Sequence, residues 1–297
     1  MKPSSTKNSR LQGGLRSRGT TRPARANTPL VSVVTVVLNA KQKLAATAAS
    51  VLNQGYDSIE YIVIDGGSSD GTVDLLRSLD ASIEYWISEP DNGIAAAFNK
   101  GIAASRGELI GLLNAGDVYT PGAIAKAVNA SLATAGCDVV CGGVRLLDPH
   151  REALECLPDV SRLDKEMSVF HPAVFVSRSA YERYGSFNEQ FRYAMDYELL
   201  LRMSRGGARF CASTSVLAEM MLEGVSRVHW MEGLREVRAA RAMHFSRGNV
   251  TWYHARAVAM NLLAETLKMT GLDFFYRAYW RSQNARRARQ EQTRPVA

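Results

Sequence analysis

Between residues 30 and 147 the chain switches repeatedly between two hydrophobic periods. LVSVVTVVL (30–38) is a continuous β-branched run, the pattern of a strand buried on both faces. Residues 41–54 change to helical spacing, with Leu44, Ala48 and Val51 on one side. IEYIVID (59–65) predicts a second buried strand, and SDGTVDLLRSL opens a helix with the acids and serine that suit a helix N-terminus. SIEYWIS (82–88), GELIGLLN (107–114) and CDVVCGGVRLL (137–147) predict further strands, with helices over 93–105 and 121–134. Repeated β-α-β order implies an α/β fold whose Rossmann-like, mainly parallel central sheet is flanked by helices. Ligands of such sheets gather at the carboxyl ends of the strands. Asp65, Asp117 and the VVLN end of the first strand therefore point polar groups at one rim.

The second half is less regular. MSVFHPAVFVSR (167–178) reads as a strand with His171 near its entrance. A turn around Gly185 follows, then a helix from Ala194 with Leu199, Leu200 and Met203 facing inward. Asp196 falls in that helix's first turn, where the helix dipole favours a negative charge. TSVLAEMMLEGVS (214–226) predicts a strand leaving the core, and from His229 onward the pattern is helical. The chain thus divides into a disordered basic tail (1–28), a sheet-bearing domain (29–225) and a helical basic C-terminal extension (226–297).

Charge sharpens this division. The net charge of +7 is unevenly spread. Residues 1–29 hold seven basic residues and no acids; residues 30–226 hold 16 basic and 24 acidic, a net of −8; residues 227–297 hold 13 and 5, a net of +8. An acidic middle excludes broad nucleic-acid binding, which needs a basic face, and suits a divalent cation. The basic extension suits an anionic membrane surface. Its last helical stretch sets Phe274, Phe275, Tyr279 and Trp280 near arginines, a pattern for a membrane interface or for packing on its own domain or a second copy in a homo-oligomer. No uncharged run is long enough to span a membrane, and the N-terminus lacks the apolar core of a secretory signal. Cys137, Cys141, Cys156 and Cys211 show neither a CxxC pair nor zinc-finger spacing, so buried thiols in a reducing, cytoplasmic compartment are expected.

Motifs narrow the chemistry. There is no G-x-x-x-x-G-K-[ST] loop, the first strand ends in LNAKQK rather than G-x-G-x-x-G, and no G-x-S-x-G elbow follows a strand. What remains is a set of acids and amides on strand tips. That set suits a nucleotide diphosphate held through a metal, with an acid from the second half as general base.

In order and spacing, VSVVTVVLNAKQK…IEYIVIDGGSSDGTVDLL, EPDNGIAAAFNKGIAASRGELIGLLNAGDVYTPGAI and HPAVFVSRSAYERYGSFNEQFRYAMDYELLLRM resemble the family 2 glycosyltransferases of GT-A fold over roughly residues 30–222. The resemblance implies a nucleotide-diphosphate sugar donor, lined by Val36, Val37 and Leu38 through their backbone and by Asp65, Asn92, Gly93, Asn99 and Asn114. It implies Asp117 as the acid that bears Mn2+ or Mg2+, His171 on the acceptor side, and Asp196 as the catalytic base of an inverting displacement. The acceptor implied is a glycan or lipid-linked hydroxyl in surface polysaccharide or glycolipid synthesis, at the cytoplasmic membrane face. A non-catalytic nucleotide-sugar-binding or scaffold subunit on the same fold is the alternative; a nucleotidyltransferase of similar topology is a weaker third. Two departures stand out. Many relatives carry two adjacent acids where this chain has Gly116 and Asp117, and an acid at Asn114; close relatives with YDAMNKG place Tyr and Asp at Ala95 and Ala96.

Overall fold

Side-chain alternation in the first long strand sets the layers. Val34 and Val36 pack into one buried cluster, and Val31, Val33 and Val37 into another on the opposite face. A computed structural model describes residues 10–20, 28–147, 153–221 and 229–270. Its strands are β1 (Leu11–Gly13), β2 (Val31–Val37), β3 (Ile59–Asp65), β4 (Tyr85–Ser88), β5 (Leu109–Asn114), β6 (Val118–Tyr119), β7 (Val139–Leu147), β8 (Ala153–Cys156), β9 (Val174–Ser177) and β10 (Phe210–Met221). Its α-helices are α1 (Lys41–Leu52), α2 (Thr72–Ser78), α3 (Ile94–Ala104), α4 (Ala123–Ala133), α5 (Arg178–Tyr184), α6 (Met195–Arg205), α7 (Trp230–Ala242) and α8 (Arg247–Met269).

The sheet runs β1-β4-β3-β2-β5-β9-β7-β10-β6, with β8 beside β7. The block β4-β3-β2-β5 is parallel, as expected. The second half is mixed: β9 lies antiparallel between β5 and β7, while β7 and β10 are parallel. Register fixes the rim, since Val37 faces Asp65, Asp65 faces Ser88, and Val36 faces Asn114. Because β9 runs against β5, its entrance lies at the same end. The 3-10 turn His171–Ala173 just before it therefore sits beside the tip of β5.

Four expectations are corrected. Residues 11–18 are not a disordered tail: β1 pairs with the edge strand β4, and Leu15–Arg18 forms a 3-10 turn. Arg16 donates to the buried Glu60 at 2.5 Å and Arg18 to Asp80, so tertiary contacts hold a segment with no period of its own. The stretch read as the end of a strand and a turn contains α5, whose start is capped by Ser177 Oγ accepting from Ala180 N at 3.1 Å. The strand placed at 214–226 begins at Phe210. Finally, Cys137 and Cys211 form a disulfide across 74 residues, because β7–β10 register sets Cys211 beside Val140; Cys141 and Cys156 are buried without one. The bond removes the inference from cysteine usage to a reducing compartment.

The extension is not a separate appendage where it is described. Ala240 belongs to the main core and Val237 packs against it. Arg241, 2% exposed, donates to Asp164 O at 2.6 Å and to Tyr197 Oη at 2.9 Å, and its guanidinium lies 4.0 Å from the Tyr253 ring centroid. Phe274, Phe275, Tyr279 and Trp280 lie outside the described residues. Among those described, no helix is long and apolar enough to cross a membrane.

Candidate active site

Three stretches distant in sequence meet at the end of β5. Asn114 Nδ2 lies 2.9 Å from His171 Nε2, and that nitrogen is 3.7 Å from Asp117 Oδ2. On its other side, His171 Nδ1 is 3.9 Å from Asp196 Oδ2. One imidazole thus spans the two carboxylates. With Asn114 Nδ2 donating, Nε2 accepts and the ring proton falls on Nδ1, facing Asp196. Asp196 stands in the first turn of α6, where Oδ1 accepts from Tyr197 N at 2.8 Å.

The turn bearing Asp117 is built from α1. Thr47 Oγ1 donates to Asp117 O at 2.8 Å and accepts from Gly116 N at 2.9 Å. Gly116 adopts φ +115°, a backbone conformation that L side chains rarely take. The glycine that replaces an acid is therefore required by this turn. Asp117 is buried, and burial pushes its carboxyl above the usual range, with His171, Asn114 and Lys43 pulling in the opposite direction. Among the described residues no group of three His, Cys, Asp or Glu is arranged to hold a metal ion. What is present is one buried carboxylate beside Asn114, whose two hydrogen bonds here both use Nδ2. That leaves the amide oxygen and the carboxylate as two hard-oxygen donors, with most of a divalent cation's shell left to ligand oxygens.

The donor-side residues divide. Leu38 is 60% exposed on the rim. Val36 and Val37 are buried, and their carbonyls already accept from Ala115 N at 3.0 Å and Gly66 N at 2.9 Å. Those two carbonyls are thus engaged by backbone amides, and Leu38 is the first exposed residue of the rim. Asp65 is fully buried: Oδ2 accepts from Ser68 N at 3.0 Å and Ser88 Oγ at 2.6 Å, and Oδ1 from Ser68 Oγ. It closes its own turn and presents no exposed surface to a ligand. Asn92 and Gly93 are exposed at the start of α3. Gly93 is required by its φ of +111°, since nothing lies within 4 Å of a Cβ there. Asn99 is diverted: its amide clasps Phe187, donating to O at 3.0 Å and accepting from N at 2.9 Å. Ala95 and Ala96 are buried in α3.

Sequence reasoning missed Asp91, whose Oδ2 would lie 3.5 Å from a Cβ on Gly66 at the rim. Lys100 pairs with it and with Glu89, the latter at 2.8 Å. Burial raises the Asp91 carboxyl and Lys100 opposes the shift. Its place in EPDNG, directly before Asn92, was the available signal. Beneath His171 and Asp196 the core leaves an apolar void of about 20 Å3, the size of one water, among Leu112, Val174, Tyr181, Phe187, Leu199 and Leu200.

The model of glycosyl transferase family 2 matches residues 32–152. An uncharacterized glycosyltransferase of Mycobacterium tuberculosis is 35% identical over 184 residues, which cover 59% of this chain and 68% of that protein. A chondroitin synthase of Pasteurella multocida is 27% identical over 186 residues, 60% of this chain and 19% of that protein. Among solved structures, Staphylococcus aureus TarS superposes with a TM-score of 0.59 at 13% identity, covering 77% of this chain and 43% of TarS. The mannosyltransferase PcManGT from Pyrobaculum calidifontis, in complex with GDP-Man and Mn2+, gives 0.60 at 18% identity, covering 88% and 85%. At these identities the structural likeness is one of fold, and that fold is GT-A.

Proposed function

The chain belongs to the family 2 glycosyltransferases, and from that premise we propose that its rim moves a sugar from a nucleotide diphosphate to an acceptor hydroxyl with inversion. The observation that carries this reading is His171 standing between Asp117 and Asp196. Donor-side and acceptor-side acids then share one small volume, as a single displacement needs.

The donor lies along Leu38, Asn92, Gly93 and Asn114, with its base against the turn that Asp65 closes. The acceptor hydroxyl approaches Asp196. As its oxygen bonds to the anomeric carbon, Asp196 takes its proton, and the bond to the nucleotide diphosphate breaks, its electron pair leaving with the diphosphate. Asp117 and Asn114 would hold a divalent cation, Mn2+ or Mg2+, whose chemistry is to neutralise charge on the leaving diphosphate. His171 holds Asn114 on one side and faces Asp196 on the other.

The acceptor class we favour is a glycan or lipid-linked sugar in surface polysaccharide or glycolipid synthesis, met at the cytoplasmic face of the membrane. Support comes from α8, which exposes Trp252, Leu262 and Leu263, with the Arg256 guanidinium 5.9 Å from the Trp252 ring centroid.

The test is turnover of UDP- and GDP-sugars, with and without Mn2+, by the wild type and Asp196→Asn. Turnover by the wild type with a loss of at least about 100-fold in the variant is expected. Equal rates sink the base assignment. Nucleotide binding without turnover by either protein gives the non-catalytic subunit instead.

A further inference from the structure

The segment entering α6 is gripped from outside the region of family resemblance. Glu236 of α7 accepts three successive backbone amides: Arg192 N at 3.0 Å, Tyr193 N at 2.7 Å and Ala194 N at 2.9 Å. Ala194 is the N-cap of α6, and Asp196 lies two residues on, in its first turn. Arg192, Tyr193 and Ala194 lead into the helix, so whatever accepts their amides fixes where its first turn starts. Here the acceptor is a carboxylate on another helix, which also favours the positive end of the helix dipole.

The grip has other points on the same helix face. The His229 ring stacks on Tyr193 with centroids 5.1 Å apart, and a Cβ on Gly233 would stand 3.7 Å from Tyr193 Cβ. Arg241, further along, donates to Tyr197 Oη at 2.9 Å. Positions 229, 233, 236, 240 and 241 follow the spacing of one helical stripe, so the contact is built into the pattern of α7. Along α6 itself, Arg202 fixes the far end, donating to Glu198 Oε1 at 2.8 Å and to Ser186 O at 2.7 Å. The end that carries Asp196 is the end that α7 holds.

We infer that Glu236 is a positioning residue: by clamping the amides of residues 192–194 it sets where Asp196 stands relative to His171 and the acceptor. This rests on the reading of Asp196 as the base. The extension is then part of the catalytic apparatus, coupling the helices that carry the exposed apolar face to the reacting end of the domain. A base displaced by about 1 Å loses on the order of 100-fold in rate, whereas the donor rim stands on β2 to β5, away from the amides that Glu236 holds, and keeps its affinity.

The experiment uses full-length wild type, Glu236→Gln and Glu236→Ala. Nucleotide-binding sites are counted by titration with UDP and GDP. Turnover of UDP-N-acetylglucosamine and GDP-mannose is expressed per binding site, so a loss of folded protein does not register. Backbone amide exchange is followed across residues 190–200. For Glu236→Ala, turnover per site falls between about 10- and 100-fold, donor KM stays within about twofold, and exchange at 192–194 accelerates. Glu236→Gln, which keeps an acceptor oxygen in place, lies between the two. Unchanged exchange overturns the clamp, and faster exchange with unchanged turnover per site overturns the positioning role. A wild type that turns over neither donor while exchange responds to the variants removes the enzymatic reading, and the positioning role with it, but leaves the clamp itself standing.

Discussion

Asn114 and His171, 57 residues apart, meet at 2.9 Å across the tip of β5. The contact joins the half of the site proposed for the donor to the half proposed for the acceptor. His171→Ala removes the ring between Asp117 and Asp196 and strips Asn114 of its partner. Turnover of a UDP- or GDP-sugar is expected to fall about 10-fold or more, with the wild-type fold retained by circular dichroism. A variant as fast as the wild type would show that the ring only fills space.

Asp117 offers a pH test. Burial raises its carboxyl above the ordinary value, so between that value and the native one the unfolded chain releases its proton first. Stability without metal therefore falls as pH rises through this window. Asp117→Asn removes the loss: the variant should melt above the wild type at neutral pH in chelator, and the gap should close below about pH 4, where both carry a neutral group. Mn2+ plus nucleotide should raise the melting temperature of the wild type and not of the variant. A metal-dependent shift that survives Asp117→Asn refutes the ligand assignment.

Much of this was legible in the chain. The runs at 30–38 and 59–65 became β2 and β3 nearly residue for residue, because strands buried on both faces leave no ambiguity of period. Asp117, His171 and Asp196 were singled out separately, but their meeting depends on β9 running against β5, which no local pattern encodes. Hydrogen-bond occupancy was also invisible. Asp65 ends β3 as expected, yet its oxygens serve Ser68 and Ser88, and the Asn99 amide serves Phe187. Glu236 gave no signal, since a glutamate in an amphipathic helix reads as a solvated face.

The N-terminal segment gives a stability prediction. Glu60 is buried, and accepts from Arg16 at 2.5 Å, Ser32 Oγ at 2.5 Å and Arg106 N at 2.6 Å. Arg16→Ala leaves that carboxylate without its cation, at a cost of about 3 kcal/mol. Deleting residues 1–19 removes the same partner and also bares the edge of β4. Both variants should show a lower denaturation midpoint in urea. A deletion as stable as the wild type would mean that β1 only rests on the sheet.

The lone acid of GLLNAGDVYTP yields the least intuitive expectation. Restoring a second acid with Gly116→Asp looks like a repair of the metal site. The backbone argues otherwise: φ at Gly116 is +115°, and a side chain there is strained by about 1–3 kcal/mol. The new Cβ would stand 3.4 Å from Lys43 Cδ, an ordinary contact, so the cost lies in the backbone and not in a clash. Relaxing the turn would pull Gly116 N from Thr47 Oγ1, and Thr47 also holds the Asp117 carbonyl. Gly116→Asp is therefore expected to melt several degrees lower and to bind Mn2+ with nucleotide no more tightly than the wild type, by thermal shift and titration. Tighter metal binding in that variant would show that the turn can adopt the two-acid form and that Asp117 does not have to act alone.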